Sequence, residues 1–249
     1  MKTPQLKEMQ RAYGFEEVAI VPGEVTVNPE QTNIEFKLDK YTFDIPVLAA
    51  AMDGAVDPSF AAAMGKLGGL AVLNLEGVWS RYEHPQEVLN KIVSAPMDQV
   101  THILQQTYSE PMKEKLVGER IEAIKKSGVT CAVSITPQNT KNFYKVAIEA
   151  GVDVFVVQST VTTARHSSKS YRGLIFSELV QWMGGIPVVV GNVVTYNAAL
   201  ELMRTGISGL LVGVGPGAAC TTREVLGVGV PQVTATMECA MARDAYLKE

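Results

Sequence analysis

The stretch IPVVVGNVVTYNAALELMRTGISGLLVGVGPG, Ile186 to Gly217, decides how the rest of this chain is read. Two apolar runs flank a segment with helical periodicity. Each run is continuous in Val, Ile or Leu, the pattern of a strand covered on both faces, as in parallel sheets. Between them NAALELMRTG has the length of a short helix and closes on a glycine, the usual helix stop. Strand, helix and strand in that order make a right-handed βαβ unit.

The same unit recurs toward the N-terminus. DIPVLAAAMD (Asp44–Asp53) reads as a strand with PSFAAAMGKLG as its helix, and GLAVLNLEG (Gly69–Gly77) as the next strand. From Trp79 to Ser127 the pattern is polar and helical, clearest in SEPMKEKLVGERIEAIKKSG. VTCAVSITP (Val129–Pro137) and VDVFVVQST (Val152–Thr160) are strands, followed by helices over NTKNFYKVAIEAG and GLIFSELVQWMGG. Six consecutive β–α units indicate an α/β fold, a TIM (β/α)8-type barrel ahead of an open doubly wound sheet. Such a barrel has eight strands, and the chain ends at AMARDAYLKE inside a helical pattern. The expectation is one partial barrel domain over residues 1–249, with about six βα units present.

Composition narrows the function classes. A net charge of −4 and a pI near 5.5 argue against nonspecific nucleic-acid binding. No apolar run approaches the roughly 20 residues of a membrane span. The charged opening MKTPQLKEMQRAYGFEEVAIVPG has no signal-like apolar core, so a cytoplasmic protein is expected. Cys131, Cys220 and Cys239 are odd in number and widely spaced, which suits free thiols better than disulfides or a zinc site.

The last strand runs into GVGPGAACTTREVLGVGVPQ (Gly213–Gln232), which sets Cys220 at the end of a glycine-rich turn. Such a turn lets backbone approach a ligand closely, and barrel active sites lie at the C-terminal ends of strands. The stretch resembles the catalytic loop of the IMP dehydrogenase/GMP reductase family, G-x-G-x-G-S-x-C-T-T-R-x-x-x-G-V-G-x-P-Q. FEEVAIVPG, IPVLAAAMDGAVD, GGLAVLN and VVVGNVVT agree with the family in the same order, so the resemblance covers nearly the whole chain. In the family the cysteine loop follows the sixth barrel strand, which implies that about three-quarters of the barrel is present. The interval Val78–Gly128 is too short for the family's paired regulatory CBS module, a feature shared with GMP reductases and the IMP-dehydrogenase-related bacterial proteins.

The resemblance implies roles residue by residue. The Cys220 thiolate attacks C2 of a purine ring, and the adduct loses hydride to NAD⁺ in a dehydrogenase or ammonia in a reductase. Thr222 assists proton transfer, with Thr221 a neighbouring alternative. Gln158, Ser159, Gly213 and Gly215 would adjoin the NAD or NADP cofactor. Met52, Asn192, Gly217 and Ala218 would adjoin the purine nucleoside monophosphate, IMP or GMP. The carbonyls of Gly215, Gly217 and Cys220 match a site for a monovalent cation, potassium in the family. A homotetramer is implied for the full-length form, and little activity for residues 1–249 alone. Exposed sheet edges would favour its aggregation.

Several positions depart from the family. Ala218 and Ala50 stand where it has serine, Gln158 where dehydrogenases have aspartate, and Leu211 where many have arginine. These departures leave three functions open: IMP dehydrogenase, GMP reductase, or a noncatalytic purine-nucleotide-binding protein. The histidines, His84, His102 and His166, form no catalytic cluster in sequence; Arg165, His166 and Lys169 make a small basic patch after the fourth strand.

Overall fold

The structure is a computed structural model that describes residues 9–169 and 172–249. The charged opening segment Met1–Glu8 lies outside the described residues.

An antiparallel hairpin comes first, β1 (Phe36–Leu38) and β2 (Tyr41–Phe43). The parallel strands follow: β3 (Leu48–Ala49), β4 (Leu70–Asn74), β5 (Ala132–Ile135), β6 (Val154–Gln158), β7 (Val188–Val193) and β8 (Gly209–Val212). They pair in sequential order β3-β4-β5-β6-β7-β8, all parallel. The sheet curls as an open part of a barrel.

The helices are α1 (Pro58–Lys66), α2 (Pro85–Val93), α3 (Val100–Ser109), α4 (Glu114–Lys126), α5 (Pro137–Glu149), α6 (Phe176–Trp182), α7 (Tyr196–Met203), α8 (Thr222–Leu226) and α9 (Gln232–Tyr246). Three of them, α2 to α4, fill the interval between β4 and β5, where no separate regulatory module is built.

Side chains on the strands alternate between two cores, as the pleat requires. Leu73, Val133, Phe155, Val157 and Val190 face the helices. Leu70, Val72, Ala132, Val154, Val156 and Val189 face the concave side. There they meet Leu38 and Phe43 of the hairpin. The hairpin therefore plugs the end of the sheet at which the strands begin. Lys40 Nζ donates to the Gly185 carbonyl just before β7 (3.4 Å), and the Tyr41 hydroxyl to Asp153 just before β6 (3.1 Å). The hairpin does not cover the opposite, C-terminal end of the strands.

Two sequence expectations need correction, and one element carried no sequence signal. The first barrel strand, expected over Asp44–Asp53, pairs as a strand only at Leu48 and Ala49. Its C-terminal part turns early, with the Met52 carbonyl accepting from the amides of Ala55 and Val56. Cys131, expected inside a strand, lies one residue before β5. The hairpin went unrecognised because its two-residue turn is Asp39–Lys40, without the Asn-Gly or Asp-Gly signal of tight hairpins.

Asp153 ties the plugged end together. Its carboxylate accepts from Lys125 Nζ (2.6 Å), the Cys131 amide (2.8 Å) and the Tyr41 hydroxyl, joining α4, β5 and the hairpin. Burial, and then the Asp153 charge, pushes the Tyr41 phenol up to about 12. Replacing Asp153 by Ala leaves three donors without their acceptor. We expect a loss of about 2–3 kcal/mol, read as a fall of roughly 5–10 °C in Tm. Asp153→Asn keeps one acceptor oxygen and should lose less.

Candidate active site

The glycine-rich turn grows directly out of β8. Gly213, Val214 and Gly215 are buried, and Pro216 to Thr221 are exposed. Val214 bridges Val230 in antiparallel fashion, which closes the segment between them into a loop anchored at its base. Two contacts explain why glycines stand there. Gly213 has φ +133°, and a Cβ on it would lie 2.6 Å from Gln232 Oε1. Gly215 has φ +67°, and a Cβ on it would lie 2.7 Å from Arg223 Cγ. The turn folds its own downstream residues, Arg223 and Gln232, against its root.

Cys220 stands at the tip. Its amide donates to the Gly217 carbonyl (3.1 Å), and its thiol lies 3.2 Å from Thr222 Oγ1 as a donor. The thiol is held below its usual pKa, first by the Thr222 hydroxyl, then by the Thr222 backbone, with the Arg223 charge adding a smaller push. The other two thiols are driven the opposite way. Burial pushes Cys131 up to about 12 and Cys239 up to about 11. Only the exposed sulfur is tuned toward a thiolate, the nucleophilic form.

Around this turn the expected residues assemble in part. Asn192, in β7, donates from Nδ2 to the Gly213 carbonyl (2.9 Å). Its amide donates to the Ser159 carbonyl (3.1 Å), and the Ser159 amide to the Gly191 carbonyl (2.9 Å). Gln158 ends β6 opposite Gly191 in the ladder. Ser159, Asn192 and the root of the cysteine turn thus form one hydrogen-bonded row. The Gly217, Ala218 and Cys220 segment lies beyond this row, exposed. Met52 stands apart on its own turn at the end of the first barrel strand, 58% exposed.

Three contributors had no expected role. Gln232 closes the quoted motif, and its Nε2 donates to the Val212 carbonyl (3.1 Å), bracing β8 where the turn begins. The Thr162 hydroxyl donates to the Gly191 carbonyl (2.7 Å), reinforcing the row from the next loop. Tyr108 of α3 donates to Asp53 Oδ2 (2.7 Å), which also accepts from the Val78 amide (2.8 Å). Burial and then Asp53 raise the Tyr108 phenol above its usual range. The position of Gln232 in the motif was a usable signal. Tyr108 carried none, since nothing local in sequence links it to Asp53.

The basic patch divides. Arg165 pairs with Glu201 (2.6 Å), whereas His166 lines a cavity of about 510 Å³ beside Ser159. His84 precedes α2 and His102 lies within α3, and among the described residues no group of three His, Cys, Asp or Glu side chains is placed to hold a metal ion.

The IMP dehydrogenase / GMP reductase domain profile matches residues 12–248. The chain belongs to this family. An uncharacterized oxidoreductase of Mycolicibacterium smegmatis is 37% identical over 246 residues, spanning 96% of this chain and 65% of that protein. The inosine-5'-monophosphate dehydrogenase of Cryptosporidium parvum is 33% identical over 251 residues, covering 96% of this chain and 60% of the relative. An IMP dehydrogenase/GMP reductase-like protein from Corynebacterium glutamicum superposes with a TM-score of 0.89 at 32% identity, over 97% of this chain and 64% of that one. The chain therefore spans a little under two thirds of the length of these relatives. Among its described residues no helix is long and apolar enough to cross a membrane.

Two variants test the geometry. Gly213→Ala places a side chain at positive φ against Gln232, and should cost about 1–3 kcal/mol in a denaturant melt. Thr222→Ala removes the hydroxyl that favours the thiolate. The pH profile of Cys220 alkylation should then move to higher pH, with a slower rate at neutral pH.

Proposed function

We propose that this chain carries the nucleophile-bearing part of a purine-nucleotide oxidoreductase of IMP dehydrogenase type. The observation that carries this reading is the Cys220 thiol, exposed at the strands' C-terminal end beside Thr222, with its pKa lowered while the other two thiols are buried and raised.

In this reading the Cys220 thiolate bonds to C2 of IMP, and the purine ring takes up a proton. The C2 hydrogen then leaves with its electron pair as hydride, leaving sulfur bonded to an sp² carbon that water converts to XMP. NAD⁺ supplies the hydride acceptor when bound. The chain's own part is to hold the sulfur, favour its ionisation, and relay a proton through the Thr222 hydroxyl. Asn192 and the root of the turn keep that sulfur in register with the ends of β6 and β7, where Gln158 and Ser159 would adjoin the nicotinamide end. Met52, Gly217 and Ala218 would adjoin the nucleotide. Ala218 has no hydroxyl for the phosphate, so backbone amides of the turn would take that contact.

A potassium ion would find the carbonyls of Gly215, Gly217 and Cys220 on the same turn, oxygen donors of the kind hard cations prefer. The Gly217 carbonyl already accepts the Cys220 amide and keeps one lone pair for a cation. GMP reduction to IMP with NADPH is the second reading. Both chemistries share this part of the site, and Gln158, neutral where dehydrogenases carry a carboxylate, counts against strict IMP dehydrogenation.

The test is covalent capture. 6-Chloropurine riboside 5'-monophosphate should add one equivalent to Cys220, seen as a mass increase on the Cys220 peptide. IMP should block the addition, and Cys220→Ser should abolish it. Labelling that IMP fails to block would overturn the assignment. Following absorbance in the full-length form with IMP plus NAD⁺, then GMP plus NADPH, separates the two chemistries.

A further inference from the structure

The cysteine turn has two limbs, held by different parts of the chain. The upstream limb leaves β8 and is tied by Asn192 to the end of β7. The downstream limb returns through Val228, Gly229 and Val230 into α9. There the Val230 amide donates to the Val214 carbonyl (3.1 Å). A Cβ on Gly215 in one limb or Gly229 in the other would collide with Arg223 Cγ, so both limbs close on one side chain of α8. Whatever fixes the start of α9 therefore fixes the downstream limb.

Helix α9 begins without a side-chain cap. Its N-cap is Pro231, which makes no side-chain bond to the helix, although the first amides of a helix have no acceptor within it. An acceptor comes from the other end of the chain. The Thr234 amide, in the first turn of α9, donates to the Tyr13 carbonyl (3.3 Å), and the Tyr13 amide donates back to Thr234 Oγ1 (2.8 Å). These bonds close a ring between residues 221 apart in sequence. The arm is braced where it makes the contact. Glu17 accepts from the Gly14 amide (2.8 Å) and pairs with Arg11 (3.0 Å), on either side of Tyr13. Two residues before Thr234, Gln232 reaches the Val212 carbonyl at the root of the turn (3.1 Å).

We infer that Thr234 is a positioning residue for Cys220: clasped by the Tyr13 backbone, it fixes the first turn of α9 and, through it, the downstream limb of the turn that presents the sulfur. The inference rests on the reading of Cys220 as the nucleophile and adds the element that aims it. Access to the sulfur does not depend on the clasp, because Cys220 is exposed. Placement does, and it matters to a reaction in which the sulfur must approach one ring carbon to about 3–3.5 Å.

Hydrogen exchange read by mass spectrometry, together with chloropurine nucleotide capture, tests the clasp. Thr234→Val removes the acceptor for the Tyr13 amide. Amides of residues 213–236 should then exchange about fivefold faster, the factor for one lost hydrogen bond, while those of β4 to β6 stay unchanged. Thr234→Ser should restore the slow exchange. Tyr13→Pro removes the donating amide from the arm's side and should give the same change, and the two together should do no more than either alone. Capture by Cys220 should slow about as much as exchange accelerates, with iodoacetamide alkylation unaltered. Unchanged exchange over 213–236 in both single variants overturns the inference. So does acceleration spread evenly over the chain, additivity of the two variants, wild-type capture by a loosened variant, or equal slowing of capture and alkylation. Localised loosening in a protein whose Cys220 never captures the nucleotide upholds the clasp and overturns the purine chemistry instead.

Discussion

Hydrogen bonding between neighbouring strands continues past the C-terminal ends of β6, β7 and β8, and this continuation holds the candidate site. The Ser159 amide reaches the Gly191 carbonyl, the Asn192 amide returns to the Ser159 carbonyl, and the Gly213 amide reaches Val193. Side chains then take over from backbone: Asn192 Nδ2 binds the Gly213 carbonyl, and Gln232 Nε2 binds that of Val212. Each such bond is worth only about 1 kcal/mol net. A buried backbone group left unpaired would cost more, so the fold favours completing the row. Three strand ends and the root of a glycine-rich turn become one hydrogen-bonded edge, and the tip beyond it is exposed.

The two ends of the sheet divide the labour. The β1–β2 hairpin fills the end where strands begin, through Leu38, Phe43 and the Tyr41–Asp153 contact. The hairpin covers that end of the sheet and leaves uncovered the other end, where barrel chemistry is carried. The interval between β4 and β5 adds a further support. Tyr108, carried on α3, reaches Asp53, whose second oxygen, Oδ1, is buried and lacks a partner among the described residues. Helices α2 and α3 are thereby tied to the turn that follows Met52 instead of standing off from the barrel as an appended module.

The parallel units were legible because continuous Val/Ile/Leu runs with glycine-stopped helices between them admit few other folds. Helices end where expected, at Gly128 after α4 and near Gly206 after α7. The cysteine turn was legible because its glycines, threonines and terminal glutamine recur as one long pattern. What escaped was long-range. The hairpin lacked a turn signature, and the Tyr108–Asp53 bond spans 55 residues. The Lys141 ammonium of α5 likewise meets the carbonyls of Arg172 and Gly173, 31 and 32 residues on. Period and motif report local geometry; they are silent on which distant carbonyl a side chain meets.

The three cysteines show how one residue type is given opposite chemistry by placement alone. Cys131 lies beneath the sheet against Asp153, where burial and a nearby negative charge both disfavour the thiolate. Cys239 sits inside α9 beside Glu238 and is pushed the same way. Cys220 lacks that burial, has the Thr222 hydroxyl and backbone in reach, and has a guanidinium nearby rather than a carboxylate. An electrophile entering this protein therefore meets a single sulfur with both access and ionisation in its favour. Selectivity among the thiols follows from the fold before any ligand binds, and the row from Ser159 to Gly213 determines where that sulfur's turn begins.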